Sequence, residues 1–373
     1  MEIIKFEKEE LSQALQPVLS VVERRNALPI LLNVLINFHQ NRVSFTTSDI
    51  EIQITSMLLN KNNNLENVEL TVSARKFYEI IKSLSETETI SLSLLKEKFV
   101  VQQAQSKFSL QTLPSKDFPL IKLTDPCLLE FSFKSDKVKG LLDSVAFSMA
   151  VQDVRYYLNG LFLQISEKNV IAVTTDGHRL CFNSMSIELS ENSIEPVTCI
   201  LPRKAVIELQ RIFNSERNTD VTFRVYSNYM EVILPTKKII TKLIEGNYPD
   251  YQKVIPQESK HHVKFNKKDL LEKLNRVSIL TSDKYRGIRI LLSGQKVQLK
   301  STNSDQEEAI EEIITEEGTG ELDIGFNVTY LIEALNNISS EKIGFSFTNA
   351  QSSAVITNSE NTEFKYIVMP MRL

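Results

Sequence analysis

The run Thr174-Thr175-Asp176-Gly177-His178-Arg179-Leu180 gathers residue types that can move protons and hold anions. Side chains two apart on a strand share a face. His178 could therefore act as a general base steered by Asp176, with Arg179 as a cation beside it. That chemistry also needs a nucleophile or a metal within reach. The chain has 4 His, two of them adjacent at His261-His262, and no HExxH, GxSxG, Walker loop or carboxylate cluster at ligand spacing. Its 3 cysteines, Cys127, Cys181 and Cys199, stand far apart without CxxC spacing. They fit a reducing cytoplasm with neither a disulfide frame nor a zinc site. A hydrolase or transferase built on Asp176, His178 and Arg179 is thus the lesser reading. No catalytic residue, metal or cofactor is expected.

The elements that must position this run come next. A chain of 373 residues implies two or three domains at roughly 100–200 residues each. With 42% hydrophobic and 24% charged residues, 10 Gly and 11 Pro, the composition is that of a soluble globular protein. The longest apolar run, Leu28–Ile36, is interrupted by Asn33, so no membrane span is expected. Residues Met1–Glu10 alternate charged and apolar residues and hold no signal-peptide core.

The chain repeats itself. Val43–Asp49, Val170–Asp176 and Val297–Asn303 each run from a strand-like start through hydroxyls to Asp or Asn, 127 residues apart at both steps. Arg75-Lys76 and Arg203-Lys204 keep step, as do Leu32-Asn33 and Leu158-Asn159. Phe118-Pro119, Tyr248-Pro249 and Met369-Pro370 close the units. The boundaries expected are 1–126, 127–251 and 252–373. Apolar stripes at helical spacing place helices over 8–25, 75–84, 134–149, 202–213, 264–276 and 327–338, two per unit. Between them lie roughly eight short strand-like alternations per unit, among them Val221–Tyr226 and Ile343–Phe347. The fold class is α+β: three similar domains, each with two helices packed on antiparallel sheet.

Charge is segregated on that framework. The net charge is −4, yet the six helical stretches hold seven more basic than acidic residues and the remainder eleven more acidic than basic. Such a surface suits a polyanion. Arg75-Lys76 and Arg203-Lys204 open helices, where cations oppose the dipole, so folding alone does not ask for them.

Five segments now carry a resemblance: Gln152-Asp-Val-Arg-Tyr-Tyr-Leu-Asn-Gly160, Thr174–Leu180, Leu201-Pro-Arg-Lys204, Gly325-Phe-Asn-Val-Thr-Tyr330 and Val368-Met-Pro-Met-Arg-Leu373. Together they closely resemble the β subunit of bacterial DNA polymerase III, the sliding-clamp family, over the full length. The resemblance implies a non-enzymatic, cytoplasmic, ring-forming homodimer whose helices line a hole around double-stranded DNA. It implies no cofactor, an ATP-driven clamp loader, and tethering of the replicative polymerase α subunit, other polymerases, ligase and mismatch-repair proteins through short apolar peptides. Size agrees. A domain of this length has a radius of gyration near 14 Å, about 35 Å across as a sphere. Three such spheres leave a hole of about 5 Å, whereas six leave about 35 Å, enough for a duplex roughly 20 Å wide. A scaffold without any nucleic-acid role is the remaining alternative.

For the peptide pocket the resemblance points to Leu158, Thr175, Gly177, His178, Arg179, Leu180, Pro249, Lys253, Val254, Asn327, Tyr330, Ser353 and Ile367, with the tail Met369, Pro370, Met371 and Arg372. Leu180 and Met371 are the expected anchors; thioethers adapt to varied ligands. Two positions depart from the family pattern: Lys253 stands where Arg is frequent, losing a bidentate fork, and Val151 where a His often precedes the Gln-Asp pair. For DNA contact it points to Arg25, Lys82, Gln152, Tyr157 and Lys204. For the subunit seam it points to Phe108 and Leu110 facing Ile279 and Leu280, with Lys76 and Lys107 near the acidic run that begins at Glu307 and Glu308.

Overall fold

The computed structural model describes residues 4–23, 28–59, 65–95, 97–187, 195–256, 259–282 and 285–373. Six α-helices occur among them, two per repeat: α1 (Lys8–Val18), α2 (Ala74–Ser83), α3 (Ser135–Val145), α4 (Arg203–Ser215), α5 (Lys267–Ser278) and α6 (Val328–Asn337). Each buries its apolar stripe, as with Leu11, Leu15 and Val18 on α1 or Phe77 and Ile81 on α2. The first helix is shorter than its stripe, which runs on through Leu19 and Val22. Pro17 has no N–H for the helical ladder, and the last turn closes with Leu19 N–H donating to Leu15 C=O.

All strand pairing among the described residues is antiparallel. One compact unit comprises Met1–Asp136 and Ile207–Leu243. It holds a four-stranded sheet in the order Ile4–Phe6, Ile90–Leu95, Lys98–Gln103, Ser106–Gln111. It also holds an eight-stranded sheet in the order Leu65–Ser73, Asn33–Gln40, Arg42–Ser48, Ile52–Leu59, Lys237–Lys242, Tyr229–Ile233, Asp220–Val225, Leu129–Lys134. The other unit, Lys137–Val206 and Ile244–Leu373, holds the counterpart sheet: Val197–Pro202, Gly160–Ile165, Asn169–Thr175, Arg179–Ser186, Lys365–Val368, Ala354–Asn358, Lys342–Phe347, His261–Asn266. Its hairpin of Gly287–Thr302 and Glu308–Asn327 was expected as separate short strands. The ladder instead stays continuous through a register shift around Gly294, whose φ of +60° suits the bulge.

The repeated sequence motif has a local structural job. Thr47 and Thr174 hydroxyls donate to the C=O of Val18 and Val145, at the last turns of α1 and α3. Ser301 does the same to Val277 on α5 (2.6 Å). All three hydroxyls are at most 2% exposed, and each satisfies a carbonyl that the helix end leaves orphaned. The acid or amide two residues on then closes a turn: Asp49, Asp176 and Asn303 each accept two backbone N–H bonds from residues two to four ahead. The arginines of the second landmark also serve the fold. Arg75 donates to Val22 C=O (2.6 Å) and Arg203 to Met149 C=O (3.1 Å), so their recurrence does not require a polyanion. The third landmark drops out of step. Met369 follows its strand directly, whereas Phe118 and Tyr248 follow theirs after several residues.

Candidate functional site

The turn closed by Asp176 carries one wall of a pocket. After strand Asn169–Thr175, the Thr175 hydroxyl donates to Arg179 C=O (2.6 Å) and accepts from Gly177 N–H (3.0 Å). Asp176 Oδ1 takes the N–H groups of His178 (2.9 Å) and Arg179 (3.1 Å). Its Oδ2 takes Arg179 Nε (3.0 Å). Asp176 is thereby spent on the turn and on Arg179, and His178 is exposed. The general-base arrangement is not assembled.

Gly177 answers two demands. Its φ is +89°, and a Cβ there would lie 2.8 Å from the Arg155 guanidinium. Arg155 crosses over it, donating to Asp176 C=O (3.1 Å) and making a two-pronged contact with Asp153 (3.0 and 2.8 Å). The Arg155 guanidinium and backbone N–H hold the Asp153 carboxyl at about 2. Arg179, 8% exposed, pairs with Glu333 of α6 and donates to Phe147 C=O (3.2 Å). Its guanidinium lies 4.4 Å from the Tyr330 ring centre. Burial opposes this cation, yet the Tyr366 oxygen and the Glu333 carboxylate keep it more firmly protonated than usual.

The pocket measures about 170 Å³ and is lined by Leu158, Thr175, Gly177, Arg179, Leu180, Pro249, Val254, Ile367 and Met369, together with Arg155, Tyr157, Tyr248 and Tyr251. Leu180 and Ile367 belong to an apolar cluster with Val173, Tyr251 and Val355, and Tyr248 stacks on Phe162 at 5.0 Å. For scale, a dry cavity of about 150 Å³ takes up one benzene. The shape suits an apolar side chain entering from a surface peptide.

Nine of the expected residues therefore meet. Others do not join them. His178 gives only its C=O, which accepts from Met369 N–H (3.0 Å). Lys253 points away, its side chain 83% exposed and paired with Asp250 at 3.0 Å. Asn327 caps α6 by accepting from Thr329 N–H. Tyr330 lies against Arg179, and Ser353 and Pro370 are half-buried outside the lining. Met371 and Arg372 line a separate cavity with Leu373, because Met371 N–H bonds to Gly325 C=O (2.8 Å) and turns the tail away. Sequence reasoning missed Arg155, Tyr248 and Tyr251. Tyr248 stood beside the flagged Pro249, but the Arg155 crossing depends on a loop whose path no local pattern encodes.

Among the residues expected at DNA, Arg25 lies outside the described residues. Lys82 is exposed on the last turn of α2, Gln152 is exposed at φ +54°, and Lys204 is half-buried on α4. Tyr157 lines the pocket. At the expected seam, Phe108 and Leu110 are half-buried on an edge strand, Leu280 is half-buried and Ile279 is 76% exposed. Lys76 and Lys107 are exposed. The acidic run is already engaged within its own repeat: Glu308 with Lys300, Glu311 with Arg276, Glu312 with Lys296, and Glu307 with Asn303.

Comparison with known proteins agrees with this architecture. Residues 2–122, 132–250 and 252–372 match the N-terminal, central and C-terminal domains of the DNA polymerase III beta subunit. The beta sliding clamp of Pseudomonas aeruginosa is 37% identical over 368 residues, 99% of each chain. That of Escherichia coli K12 is 35% identical over 98% of this chain and 99% of its own. The crystal structure of the P. aeruginosa subunit superposes with a TM-score of 0.95 at 36% identity, covering 100% of both chains. A second P. aeruginosa structure, bound to griselimycin, gives 0.95 over 100% and 99%. The chain belongs to the DNA polymerase III β-subunit family, the sliding clamps, which act in DNA replication as non-catalytic processivity factors.

Proposed function

We propose that two copies of this chain close head to tail into a cytoplasmic ring around duplex DNA, and that the pocket at Leu180 tethers the replicative polymerase, the clamp loader and repair proteins by short apolar peptides. The three repeats, divided near residues 126 and 251, would be the clamp domains.

One observation carries the ring: strand pairing between successive repeats. Ile54 of the first repeat opposes Ile239 of the second, and Cys181 of the second opposes Tyr366 of the third. Ala309 matches Ile54 and Cys181, since it faces Ser301 as they face Thr47 and Thr174. Phe108 matches Ile239 and Tyr366, because it faces Val101 as they face Val232 and Ile356. Strand Ser106–Gln111 is the edge of its sheet, and Glu308–Thr315 has a ladder only to its own hairpin among the described residues. Repeating the same junction a third time sets Phe108 against Ala309 of the partner subunit. It covers the exposed Ile279, Ile310 and Ile314 (76%, 47% and 73%). Pairing of edge strands also removes an aggregation hazard.

A ring needs no tight grip, which accounts for an acidic chain with locally basic helices. Phosphate-gripping proteins lose affinity steeply with salt; a closed ring does not. Arg25, Lys82, Gln152, Tyr157 and Lys204 would touch DNA lightly, Tyr157 from the rim of the pocket that it also lines. The test of closure is the Ile279→Ala/Leu280→Ala variant, expected to be monomeric by light scattering. A dimer persisting at submicromolar concentration would move the seam elsewhere. For the pocket, griselimycin, seen bound to the P. aeruginosa relative, should bind this chain and lose affinity when Met369–Leu373 is deleted.

A further inference from the structure

The tail's last residue meets an unusual patch of bare backbone. In the long hairpin, Gly287 opposes Asn327 and Arg289 opposes Gly325. The two glycines are thus diagonal neighbours on one face of the ladder. A Cβ built on Gly287 would lie 2.3 Å from Leu373 Cδ2, and one on Gly325 would lie 2.8 Å from Leu373 Cδ1 and 2.6 Å from Met371 C=O. Real Cβ atoms do not come so close, so a side chain at Gly325 would press on the tail's backbone at Met371, and one at Gly287 would drive the Leu373 side chain out of its place. Neither glycine needs positive φ; space alone demands them. Met371 N–H is bonded to Gly325 C=O (2.8 Å), and Met369 N–H to His178 C=O (3.0 Å). The five-residue tail is therefore fastened at three successive alternate residues: 369 to the pocket turn, 371 to the hairpin, 373 in the notch.

We propose that the Gly287–Gly325 notch seats Leu373 and thereby positions Met369 as a wall of the pocket, making both glycines positioning residues for peptide binding. This rests on the pocket being the peptide site. Loss of the far anchor leaves the tail on its two backbone bonds at Met369 and Met371, and the slack on either side of Pro370 reaches the pocket wall.

The test uses full-length Gly287→Ala, Leu373→Ala and the double variant, with griselimycin binding measured by calorimetry. Met369 is followed by its ¹³C-methyl NMR signal. Gly287→Ala should weaken binding about tenfold and shift the Met369 methyl signal, with the thermal midpoint unchanged. Leu373→Ala should weaken binding to a similar degree. The three atoms nearest a Cβ at Gly287 all belong to the Leu373 side chain, so the double variant should bind no worse than Leu373→Ala. Wild-type binding that Leu180→Gln leaves intact would refute the pocket reading itself. With that reading standing, unchanged affinity in both single variants would overturn the notch proposal. So would losses that multiply in the double variant. Should Gly287→Ala fail to fold, Leu373→Ala alone decides by the same two readouts.

Discussion

Two turns of this chain share one backbone design and differ in what they do. Asp49 and Asp176, 127 residues apart, each follow a hydroxyl that caps a helix end, and each folds the next turn by accepting two N–H bonds. In the second repeat the next residue is Gly177, over which Arg155 passes, and Leu180, second in the strand that follows, lines a pocket. In the first repeat Ile50 takes the same left-handed corner at φ +80°, half in solvent. Gln53 stands where Leu180 does, 6% exposed, its Oε1 accepting from Ile121 N–H (2.8 Å). A polar clip thus ties down the segment that in the second repeat, at Tyr248–Val254, bounds an apolar cavity. The repeat supplies the scaffold; a few side chains at the corner decide whether it opens.

Swapping the decisive residue should have the largest effect. Leu180→Gln places an amide among Tyr251, Val173 and Ile367 without the Ile121 partner that Gln53 enjoys, costing about 1–3 kcal/mol of stability. Griselimycin binding should fall at least a hundredfold by calorimetry. Unchanged binding would mean that the corner residues do not distinguish the two sites.

The shared part of the design predicts equal losses. Thr47→Val, Thr174→Val and Ser301→Ala each leave a helix-end carbonyl without its donor, and each should cost about 1–3 kcal/mol in urea unfolding. A large loss in one repeat with none in the others would show that the common motif is not structurally equivalent. This is also where the sequence was most legible. The 127-residue period and the hydroxyl-to-Asp pattern are fold signals, recorded by short-range bonds and helix stripes, and they locate the helices well. The site was legible only through resemblance, since Arg155, Tyr248 and Tyr251 reach it by loops that fold back over many residues. Met371 lies outside the pocket lining for the same reason. Its side chain suits a pocket, but its backbone bond to Gly325 carries it past.

A smaller effect concerns pH. The Asp153 carboxyl is held at about 2 by Arg155, below its ordinary 3.8. Its folded value is depressed, so the Asp153–Arg155 latch is complete above about pH 4 and is lost as pH falls through about 2. Griselimycin affinity should therefore be flat between pH 8 and pH 5. A midpoint inside that range would assign control to another group.

The smallest change is expected at the other corner. Ile50→Gly relieves a β-branched residue at positive φ, roughly 1–2 kcal/mol of strain, offset by glycine's chain entropy of about 0.5–1 kcal/mol. The variant should be equal to or up to about 1 kcal/mol more stable than the parent in urea. A clear loss would show that the exposed Ile50 side chain makes a contact worth keeping.

The ring itself is tested most directly by topology. Loaded onto a nicked circular plasmid by its clamp loader, the chain should stay bound in gel filtration through salt that strips ordinary DNA-binding proteins. It should run off within minutes once a single restriction cut makes the plasmid linear. Equal retention on circular and linear DNA, or release from the closed circle that rises steeply with salt, would mean that the protein grips DNA rather than encircling it.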